Sequence, residues 1–386
     1  MGGRSVAALP AHPLASATNR FGAELFLASA RSQTANDNLL LSPLSAALAL
    51  GMALEGARGE TARELESALH WSDTPTVSAE LGPLVRRLSE GDGQDGVSLL
   101  SANHLWGRRD AGFAHDFVER LDRRYGAPLT ELDFAADPVL ASADINRWVS
   151  TQTRGLITEL VSPVGITPDL SLVLTNALYF KADWATQFPV EATLSGNFRT
   201  PDGDVSASFM RRSGQFRYGE LAGLQLVELP YRGNLAMLIA LPRAVDGLAE
   251  IEQRMPNGLE RWLAALSPRT AHVAIPRFRS SSSLDLREPL RALGVRRAFE
   301  PAADFSAMLE HPGRSLAVGM IVQQTRVEVD ERGATAAAAT AVGMYGLEAR
   351  DEPRISASHP FLFLIRDTST GLVLFIGRVE DPSRDG

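Results

Sequence analysis

The spacing of apolar residues changes near residue 171, and this change restricts the fold more than any other feature of the sequence. Ahead of it the spacing is helical, and Ser42 followed by Pro43 supplies an N-cap and a first-turn proline for a helix over 44–54. Further helical patterns cover 20–31, 59–69, 80–90, 114–124 and 139–153. Beyond residue 171 the pattern favours strands at 172–180, 224–230, 235–241, 272–278 and 315–329. Helices followed by many strands predict an α+β fold with large antiparallel or mixed sheets.

No linker rich in Pro, Gly, Ser or charge divides the 386 residues into two self-sufficient halves. With 45% hydrophobic and 22% charged residues, the composition is that of a globular chain that can bury a large core. We therefore expect a single domain over residues 1–386, with residues 1–17 forming a flexible N-terminal segment.

The formal net charge is −8, and no cluster of Lys and Arg offers a surface that could neutralise phosphates. Neither nucleic acid nor an anionic membrane is therefore expected as a partner. No run of 18 or more apolar residues is present, so no membrane span is expected. The N-terminal apolar run is interrupted by Pro10 and Pro13, which makes a poor signal-peptide core. The sequence thus assigns neither an extracellular nor a cytoplasmic location.

The sequence contains no cysteine, which excludes disulfides, thiolate catalysis and Cys-based metal sites. The G-x-S-x-G, H-E-x-x-H, Walker and G-x-G-x-x-G patterns are also absent. His70 and His104 lie beside apolar residues, where a hydrogen-bonded structural histidine is favoured over a metal ligand. These observations predict a protein that is not an enzyme and that carries no cofactor.

The most informative segment is Val327-Glu-Val-Asp-Glu-Arg-Gly-Ala-Thr-Ala-Ala-Ala-Ala-Thr-Ala-Val-Gly-Met344. A strand-like run ends in charged residues and Gly333, and almost nothing bulky or charged follows. Taken alone, this composition is explained as well by a flexible linker or an Ala-rich helix as by a functional role. Its neighbours along the chain favour a third interpretation.

The segment resembles the reactive-loop hinge of serpins, the serine protease inhibitors, and the resemblance extends over nearly the whole chain. The motifs that carry it, in order, are Asn38-Leu-Leu-Leu-Ser-Pro-Leu-Ser45 with Gly56-Ala-Arg-Gly-Glu-Thr61, Asn146-Arg-Trp-Val149 with Thr153-Arg-Gly-Leu-Ile157, Leu174-Thr-Asn-Ala-Leu-Tyr-Phe-Lys-Ala-Asp-Trp184 with Phe188, Val227-Glu-Leu-Pro-Tyr231 with Ile239-Ala-Leu-Pro242, Ile275-Pro-Arg-Phe278, Leu293-Gly294, Ala303-Asp-Phe-Ser306, and His359-Pro-Phe-Leu-Phe-Leu-Ile-Arg366 with Phe375-Ile-Gly-Arg-Val379. The chain departs from the family pattern at Ser358 and at Ala334. It also departs from it at Gln323, a position at which many relatives have His.

The resemblance implies a serpin fold, with three β-sheets, about eight or nine helices and an exposed reactive-centre loop at 333–357. It also implies a suicide substrate: a protease cuts the loop, and the loop then inserts into the central sheet and traps the acyl-enzyme. The expected partner is a serine protease in a covalent 1:1 complex with a monomeric inhibitor. The residues assigned to the hinge are Glu331, Gly333, Ala334, Thr335, Ala336, Ala337, Ala338, Ala339 and Thr340.

The composition of this loop suits insertion between strands. An inserting strand cannot carry charged side chains inward, because an unpaired buried charge costs several kcal/mol. Alternation with a period of two places on one face only small or apolar side chains, namely Ala334, Ala336, Ala338, Thr340, Val342 and Met344. Gly333 gives the chain the freedom to turn into the sheet.

The resemblance also predicts two clusters that control opening of the sheet. A polar network beneath the opening strands is expected to contain Asn38, Ser42, Ser45, Asn176 and Gln323. The alternative for these residues is ordinary helix capping and satisfied core polar groups. Lys181 and Trp184 are expected at the end of a central strand, where insertion would begin. The alternatives are that Lys181 is an ordinary surface charge and that Trp184 is a large core side chain.

Two ways of counting give different bait bonds. Counting forward from Gly333 gives Leu347-Glu348, whereas counting back from Pro360 gives Ala349-Arg350, and Tyr345 is a further candidate. Leu347 would fill the apolar S1 pocket of a chymotrypsin-, elastase- or subtilisin-like protease, and Arg350 would address a trypsin-like pocket. The alternative function is that of a non-inhibitory serpin acting as a carrier, chaperone or structural protein.

Overall fold

The computed structural model describes residues 13–33, 37–71, 80, 83, 96–311, 315–332 and 352–385. Its described part contains seven α-helices. They are α1 (Pro13–Ser32), α2 (Pro43–Gly56), α3 (Gly59–Leu69), α4 (His115–Tyr125), α5 (Pro138–Gln152), α6 (Leu248–Ala265) and α7 (Arg287–Ala292). The additional helix predicted at 80–90 lies almost entirely outside the described residues.

The described strands are β1 (Leu39–Leu41), β2 (Val97–Arg108), β3 (Leu129–Leu132), β4 (Leu172–Ala182), β5 (Leu194–Thr200), β6 (Gly203–Leu221), β7 (Leu224–Pro230), β8 (Leu235–Pro242), β9 (Ser267–Pro276), β10 (Phe278–Asp285), β11 (Val318–Val329), β12 (Arg354–Ser356), β13 (Phe361–Asp367) and β14 (Val373–Val379). The run predicted as one strand at 272–278 joins parts of β9 and β10, with Arg277 between them.

The central sheet has five strands in the order β10-β11-β4-β2-β3. Strands β11 and β4 run parallel, from Val318 opposite Leu172 to Val327 opposite Phe180, with a shift of register between Val318 and Met320. Their outer neighbours, β10 and β2, are antiparallel to them. This parallel pair, which we call the seam, lies between two antiparallel ladders.

The remaining nine strands are connected by hydrogen bonds in one continuous path. The long strand β6 takes part in both halves of this path, so we describe the halves as two sheets. The first part of β6 pairs with β5 and β9, and the last part, Arg217–Leu221, pairs with β7. The path continues from β7 through β8, β13 and β14 to β1, and from β9 to β12 at the other edge. Together with the central sheet this makes three sheets, which confirms the predicted α+β architecture.

The two faces of the central sheet are covered differently. Helix α5 covers part of one face, where Ile145 and Val149 pack with Trp106 and Val173 in a small apolar cluster. The other face belongs to the main core, which includes the almost fully buried helix α2. Because α2 is apolar on every side, it is stable only inside such a core.

Helix α1 begins at Pro13, so residues 13–17 are helical and not the flexible segment expected there. Leu14 and Ala15 are buried, and their burial explains why this turn is ordered. None of the described helices combines the length and the hydropathy needed to cross a membrane.

Candidate functional site

The segment that carries the predicted hinge and bait bond connects two different sheets. It leaves the central sheet after β11, and the described chain resumes at Glu352, just before β12. Strand β12 pairs in parallel with β9, with Arg354 opposite His272. Residues 333–351 lie outside the described residues, and with them the predictions for Gly333, Ala334, Thr335, Ala336, Ala337, Ala338, Ala339, Thr340, Tyr345, Leu347, Glu348, Ala349 and Arg350.

Glu331, the first predicted hinge residue, is buried at the end of β11. The guanidinium of Arg277 binds its carboxylate through Nε, at 2.6 and 2.7 Å from the two oxygens, and through Nη2 at 2.5 Å. The Thr193 hydroxyl donates to the same carboxylate at 2.5 Å, and the backbone carbonyl of Glu331 accepts from Phe188 N at 3.1 Å. Burial opposes ionisation of this carboxylate, but the hydrogen bonds from Arg277 and Thr193 outweigh it and hold the pKa of Glu331 below its ordinary value.

Trp184 follows β4 directly and contacts the chain just before Glu331. Its indole Nε1 donates to the carbonyl of Asp330 at 2.8 Å. The indole stacks on Tyr231, with ring centroids 4.2 Å apart, and meets the edge of Phe188. Burial, with a smaller effect from the charge of Asp330, raises the pKa of Tyr231 well above its ordinary value. Trp184 is therefore a core side chain that also holds the end of β11 against β4.

Lys181 connects the same two strands on the other face of the sheet. Its Nζ lies 3.4 Å from Glu328 and 3.5 Å from Asp330. Partial burial opposes protonation, but the two carboxylates outweigh it and raise the pKa of Lys181. Since Glu328 is bound at the same time by Arg326 at 3.0 Å, the upper end of the seam carries a small network of ion pairs.

A second polar cluster lies lower on the seam. The side chain of Gln323 is fully buried; its Oε1 accepts from Ser42 N at 2.8 Å, and its Nε2 donates to Ser42 O at 3.1 Å and to Asn176 Oδ1 at 3.3 Å. Asn176 in turn donates to Asn103 Oδ1. We call Ser42, Asn103, Asn176 and Gln323 the polar layer. It joins β11, β4 and β2 to the N-terminus of α2.

The structure does not bring Asn38 into the polar layer, which corrects the prediction. Its amide Nδ2 donates to the carbonyls of Asp381 and Arg384, at 2.7 and 2.9 Å. Its Oδ1 accepts from the backbone N–H groups of Glu380 and Asp381. Asn38 precedes β1, which pairs with β14, so its side chain meets the C-terminal segment instead of the seam.

Ser45 lies next to the polar layer, but it contacts Ser42 through its backbone N–H and not through its side chain. Its N–H donates to Ser42 Oγ at 3.3 Å, the helix-capping bond that was the alternative reading. Asn103 was not among the residues predicted for the polar network, because the strand-like pattern of β2 was not recognised. Thr325 was not predicted either, and its hydroxyl donates to Leu40 O at 2.9 Å.

The described residues contain no set of three acidic or histidine side chains that could hold a metal ion. His104 is buried against the ring of Trp106, with centroids 3.7 Å apart, and its Nε2 lies 2.9 Å from Thr130 Oγ1. Burial lowers the pKa of His104 to about 3, so the ring is neutral at ordinary pH.

Comparison with known proteins gives one consistent result. The family model described as Serpin (serine protease inhibitor) matches residues 16–382. An uncharacterized serpin-like protein of Thermococcus kodakarensis is 38% identical over 97% of this chain and 87% of its own length. The leukocyte elastase inhibitor of Homo sapiens is 35% identical, over 96% of this chain and 99% of its own length.

Solved structures agree with the sequence comparison. An Arabidopsis serpin, AtSerpin1, in its native stressed conformation aligns with a TM-score of 0.88 and 29% identity, over 98% of this chain and all of that one. Uncleaved ovalbumin aligns with a TM-score of 0.87 and 25% identity, over 96% of this chain and all of that one. From its fold and these similarities, the chain belongs to the serpin family.

Proposed function

We propose that this protein inhibits serine proteases as a suicide substrate, and that the whole chain, residues 1–386, acts as one domain. Two observations outside the site support inhibition: the family's description as serine protease inhibitors, and relatives named leukocyte elastase inhibitor. The mechanism and the target class are inferred from the residues of this chain. In this proposal the protein is a monomer that acts on a protease, without a cofactor and without nucleic acid or membrane as partner.

The observation that carries the proposal is the seam. Strands β4 and β11 are parallel to each other, and the predicted loop begins where β11 ends. A strand that turns back from this point into the seam runs antiparallel to both neighbours. Insertion therefore exchanges one parallel ladder for two antiparallel ladders, which are slightly more stable per residue. The protein with the closed seam is then kinetically trapped, at a higher free energy than the form whose central sheet has six strands.

The covalent step follows ordinary serine-protease chemistry. The protease serine Oγ attacks the carbonyl carbon of Leu347, the bond to the nitrogen of Glu348 breaks, and a proton passes to the leaving amine. Leu347 is then held as an ester, which water would normally hydrolyse. Insertion of residues 334–347, roughly 46 Å of extended strand, carries the protease to the far end of the sheet before that hydrolysis.

The contacts at the upper end of the seam oppose early insertion. Glu331 is tied to Arg277, and Asp330 is bound by Trp184 and Lys181, all next to the point where the loop leaves β11. Lower down, the hydrogen bond from Gln323 to Asn176 crosses the seam and must be replaced as the strand passes. Insertion therefore has a barrier that cleavage of the loop allows the chain to overcome.

The target class follows from the bait bond. Leu347 and Tyr345 suit proteases with apolar S1 pockets, such as chymotrypsin, elastase and subtilisin, whereas Arg350 suits trypsin-like enzymes. The elastase inhibitors among the relatives support the first class. A non-inhibitory role as carrier, chaperone or structural protein is the alternative, and it predicts cleavage without a trapped complex.

The test is incubation of the protein with chymotrypsin, elastase, subtilisin and trypsin, followed by denaturing gel electrophoresis. We expect a stable band at the summed mass of inhibitor and protease with one of the first three enzymes. Mass spectrometry should then find a released C-terminal peptide that begins at Glu348. A peptide that begins at Asp351 would move the bait bond to Arg350, and cleavage without any higher-mass band would establish the non-inhibitory alternative.

A further inference from the structure

Lys181 is the only lysine of the chain, whose other 37 basic residues are all arginines. The two side chains differ in reactivity, because a lysine can lose its proton and become a nucleophile, whereas an arginine stays charged. The chain therefore has one side chain that offers an amine to an acyl donor, and it stands at the upper end of the seam.

A row of charged side chains crosses the seam at the level of this amine. Arg279 on β10 lies opposite Glu328 on β11, and Glu328 lies 3.4 Å from Lys181 Nζ on β4. Nζ also lies 3.5 Å from Asp330, which follows β11. The pair of Arg326 with Glu328, in contrast, lies within β11. Neutralising the amine would therefore remove both of its ion pairs across the seam and leave the pair within β11 intact.

A groove of about 550 Å³ opens beside the amine. The cationic residues that line it are Lys181, Arg277, Arg279 and Arg332. Arg279 and Arg332 are exposed, and neither forms an ion pair with a residue that the structure describes. Three of the four carboxylates in the groove belong to the ion pairs of Lys181 and Arg277, and the fourth, that of Asp385, is exposed. Two free guanidinium groups beside one amine suit an acyl donor that carries a phosphate.

We propose that Lys181 is an acylation site, that Arg279 and Arg332 hold the phosphate of an acyl phosphate beside it, and that acylation weakens the closed seam. The neutral amine attacks the acyl carbon, and the bond from this carbon to the phosphate oxygen breaks. Inorganic phosphate leaves with the proton that the nitrogen loses, and a neutral amide remains. The consequence for inhibition rests on the proposed function: a weaker seam admits the uncut loop sooner, so the acylated inhibitor loses activity faster.

The ion pairs also control the rate of this reaction. Partial burial opposes protonation of Lys181, but Asp330 and Glu328 outweigh it and raise the pKa of the amine. Burial likewise raises the pKa of Tyr179, two residues earlier on β4, and Arg326 stays charged, so Lys181 is the group among these that titrates toward its neutral form first. Since only the neutral amine reacts, acylation should accelerate about tenfold per pH unit between about pH 7 and 9.

The first test compares two acetylating reagents, acetyl phosphate and the N-hydroxysuccinimide ester of acetic acid, which carries no phosphate. Peptide mass spectrometry gives the acetylated fraction of Lys181, with the α-amine of the same chain as internal standard. The variant is Arg279→Gln, and the matched control is Arg261→Gln, which removes an exposed guanidinium on α6, outside the groove.

We expect Arg279→Gln to lower the rate with acetyl phosphate about three- to tenfold and to change the rate with the ester less than about twofold. Arg261→Gln should react like wild type with both reagents. Equal rates for Arg279→Gln and wild type with acetyl phosphate would refute the phosphate site. If neither reagent acetylated Lys181 at any pH up to 9, the whole proposal would fail.

The second test is hydrogen exchange of the amides at 179–182 and 326–329 in uncut protein, which reports opening of the upper seam. It compares wild type, acetylated wild type and Lys181→Gln, whose side chain is neutral like that of an acylated lysine. Lys181→Arg treated with the same reagent is acetylated only at the α-amine, so it controls for that modification. Arg326→Gln is the matched control for charge, because it removes a cation from Glu328 without crossing the seam.

We expect exchange about three- to tenfold faster in acetylated wild type and in Lys181→Gln than in untreated wild type. Treated and untreated Lys181→Arg should exchange alike, and Arg326→Gln should change exchange much less. Unchanged exchange in Lys181→Gln, or an equal effect of Arg326→Gln, would overturn the claim that the amine holds the seam. If wild type trapped no protease at all, the proposed function would fail, while acetylation and exchange would still decide this inference.

Discussion

The carboxylate of Glu331 is buried where β11 passes into the segment 333–351, and its contacts come from distant parts of the chain. Arg277 lies between β9 and β10, and Thr193 follows the loop after β4. Both bind the same carboxylate, so the side chain of Glu331 ties the end of β11 to two neighbouring parts of the chain. At the scale of single residues, the onset of the predicted loop is held by an ion pair.

Replacing Arg277 by Ala should therefore destabilise the protein in a pH-dependent way. It leaves a buried carboxylate with the Thr193 hydroxyl as its remaining side-chain donor, at a cost of about 1–3 kcal/mol in the free energy of unfolding. Because the folded-state pKa of Glu331 is lowered, the bridge stabilises above the unfolded pKa near 4.5 and is lost as pH falls through the folded value. Denaturant titrations should show a clear loss at pH 7 that shrinks below pH 4.

Arg279→Ala is the matched control for Arg277→Ala. It removes an exposed guanidinium two residues away, on β10. We expect it to change the free energy of unfolding by less than about 0.5 kcal/mol. Equal losses for the two variants at pH 7, or a loss in Arg277→Ala that is independent of pH, would contradict the role assigned to the bridge.

A single residue in the predicted hinge should decide between inhibitor and substrate. Alternation along an inserted strand turns Ala338 inward, so the guanidinium of Ala338→Arg would enter the sheet without a carboxylate partner. A penalty of about 2 kcal/mol on insertion shifts the partition roughly thirtyfold toward hydrolysis and release. Titration of one target protease should show a much higher stoichiometry of inhibition for this variant.

Ala339→Arg is the control at the neighbouring position, because its side chain would point to the opposite face after insertion. We expect it to raise the stoichiometry of inhibition far less than Ala338→Arg. Equal stoichiometries for Ala338→Arg and wild type would show that this segment is not an inserting hinge.

At the scale of elements, the seam is the place at which the proposed mechanism adds a strand. Its β11 side is bonded to β10 and its β4 side to β2, both in antiparallel ladders that can stay intact. Its polar layer already supplies hydrogen-bonding groups at mid-height. The β4–β11 ladder is thus the one that an inserting strand would replace.

Cutting the loop with a non-target protease anywhere between 341 and 350 should therefore raise the melting temperature strongly. The freed strand gains a full ladder of hydrogen bonds on each side and buries its small side chains. Calorimetry of intact and nicked protein measures the change. If both forms melted at the same temperature, insertion would not occur and the non-inhibitory alternative would be favoured.

At the scale of the whole molecule, the C-terminal end of the chain is joined to the core by buried charges. Arg378 on β14 lies 3.5 Å from Glu252 on α6, and both are buried. Burial raises the pKa of Glu252, although Arg378 opposes the shift. Burial, with smaller contributions from the charges of Glu252 and Asp202, raises the pKa of Glu380 to about 7.

This cluster makes the global stability depend on pH near neutrality. Because the folded-state pKa of Glu380 is raised above its unfolded value, its stabilising contribution is complete below about 4.5 and is lost as pH rises through about 7. Glu380→Gln removes this loss, so we expect it to raise the free energy of unfolding at pH 8.5, relative to wild type, by about 1–2 kcal/mol after allowance for solvent screening. At pH 5 the two proteins should be nearly equal.

Denaturant titrations at pH 5 and pH 8.5 provide the measurement, with Glu250→Gln as the control. Glu250 is exposed on α6, the helix that also carries Glu252, and pairs with Arg254 on the surface. The prediction fails if Glu380→Gln and Glu250→Gln change stability alike at pH 8.5.

Local sequence patterns were sufficient for many of the elements and for part of the site. The cap at Ser42 with Pro43 predicted the start of α2, and the apolar run after residue 171 predicted β4, because capping and side-chain periodicity act over a few neighbouring residues. The order of the motifs along the chain indicated the family. The sequence also predicted that Ser42, Asn176 and Gln323 lie in one polar network, and these three residues are hydrogen-bonded in the polar layer.

Contacts between residues far apart in the chain were decided only by the tertiary structure. Asn103 joins the polar layer and Asn38 does not, because strand register and the course of the C-terminal segment determine which amides meet. The same holds for the contacts of Arg277 with Glu331 and of His272 with Glu352, on either side of the segment 333–351. A sequence specifies such groups one at a time, but their distances and burial, and hence their ion pairs and pKa shifts, exist only once the sheets have assembled.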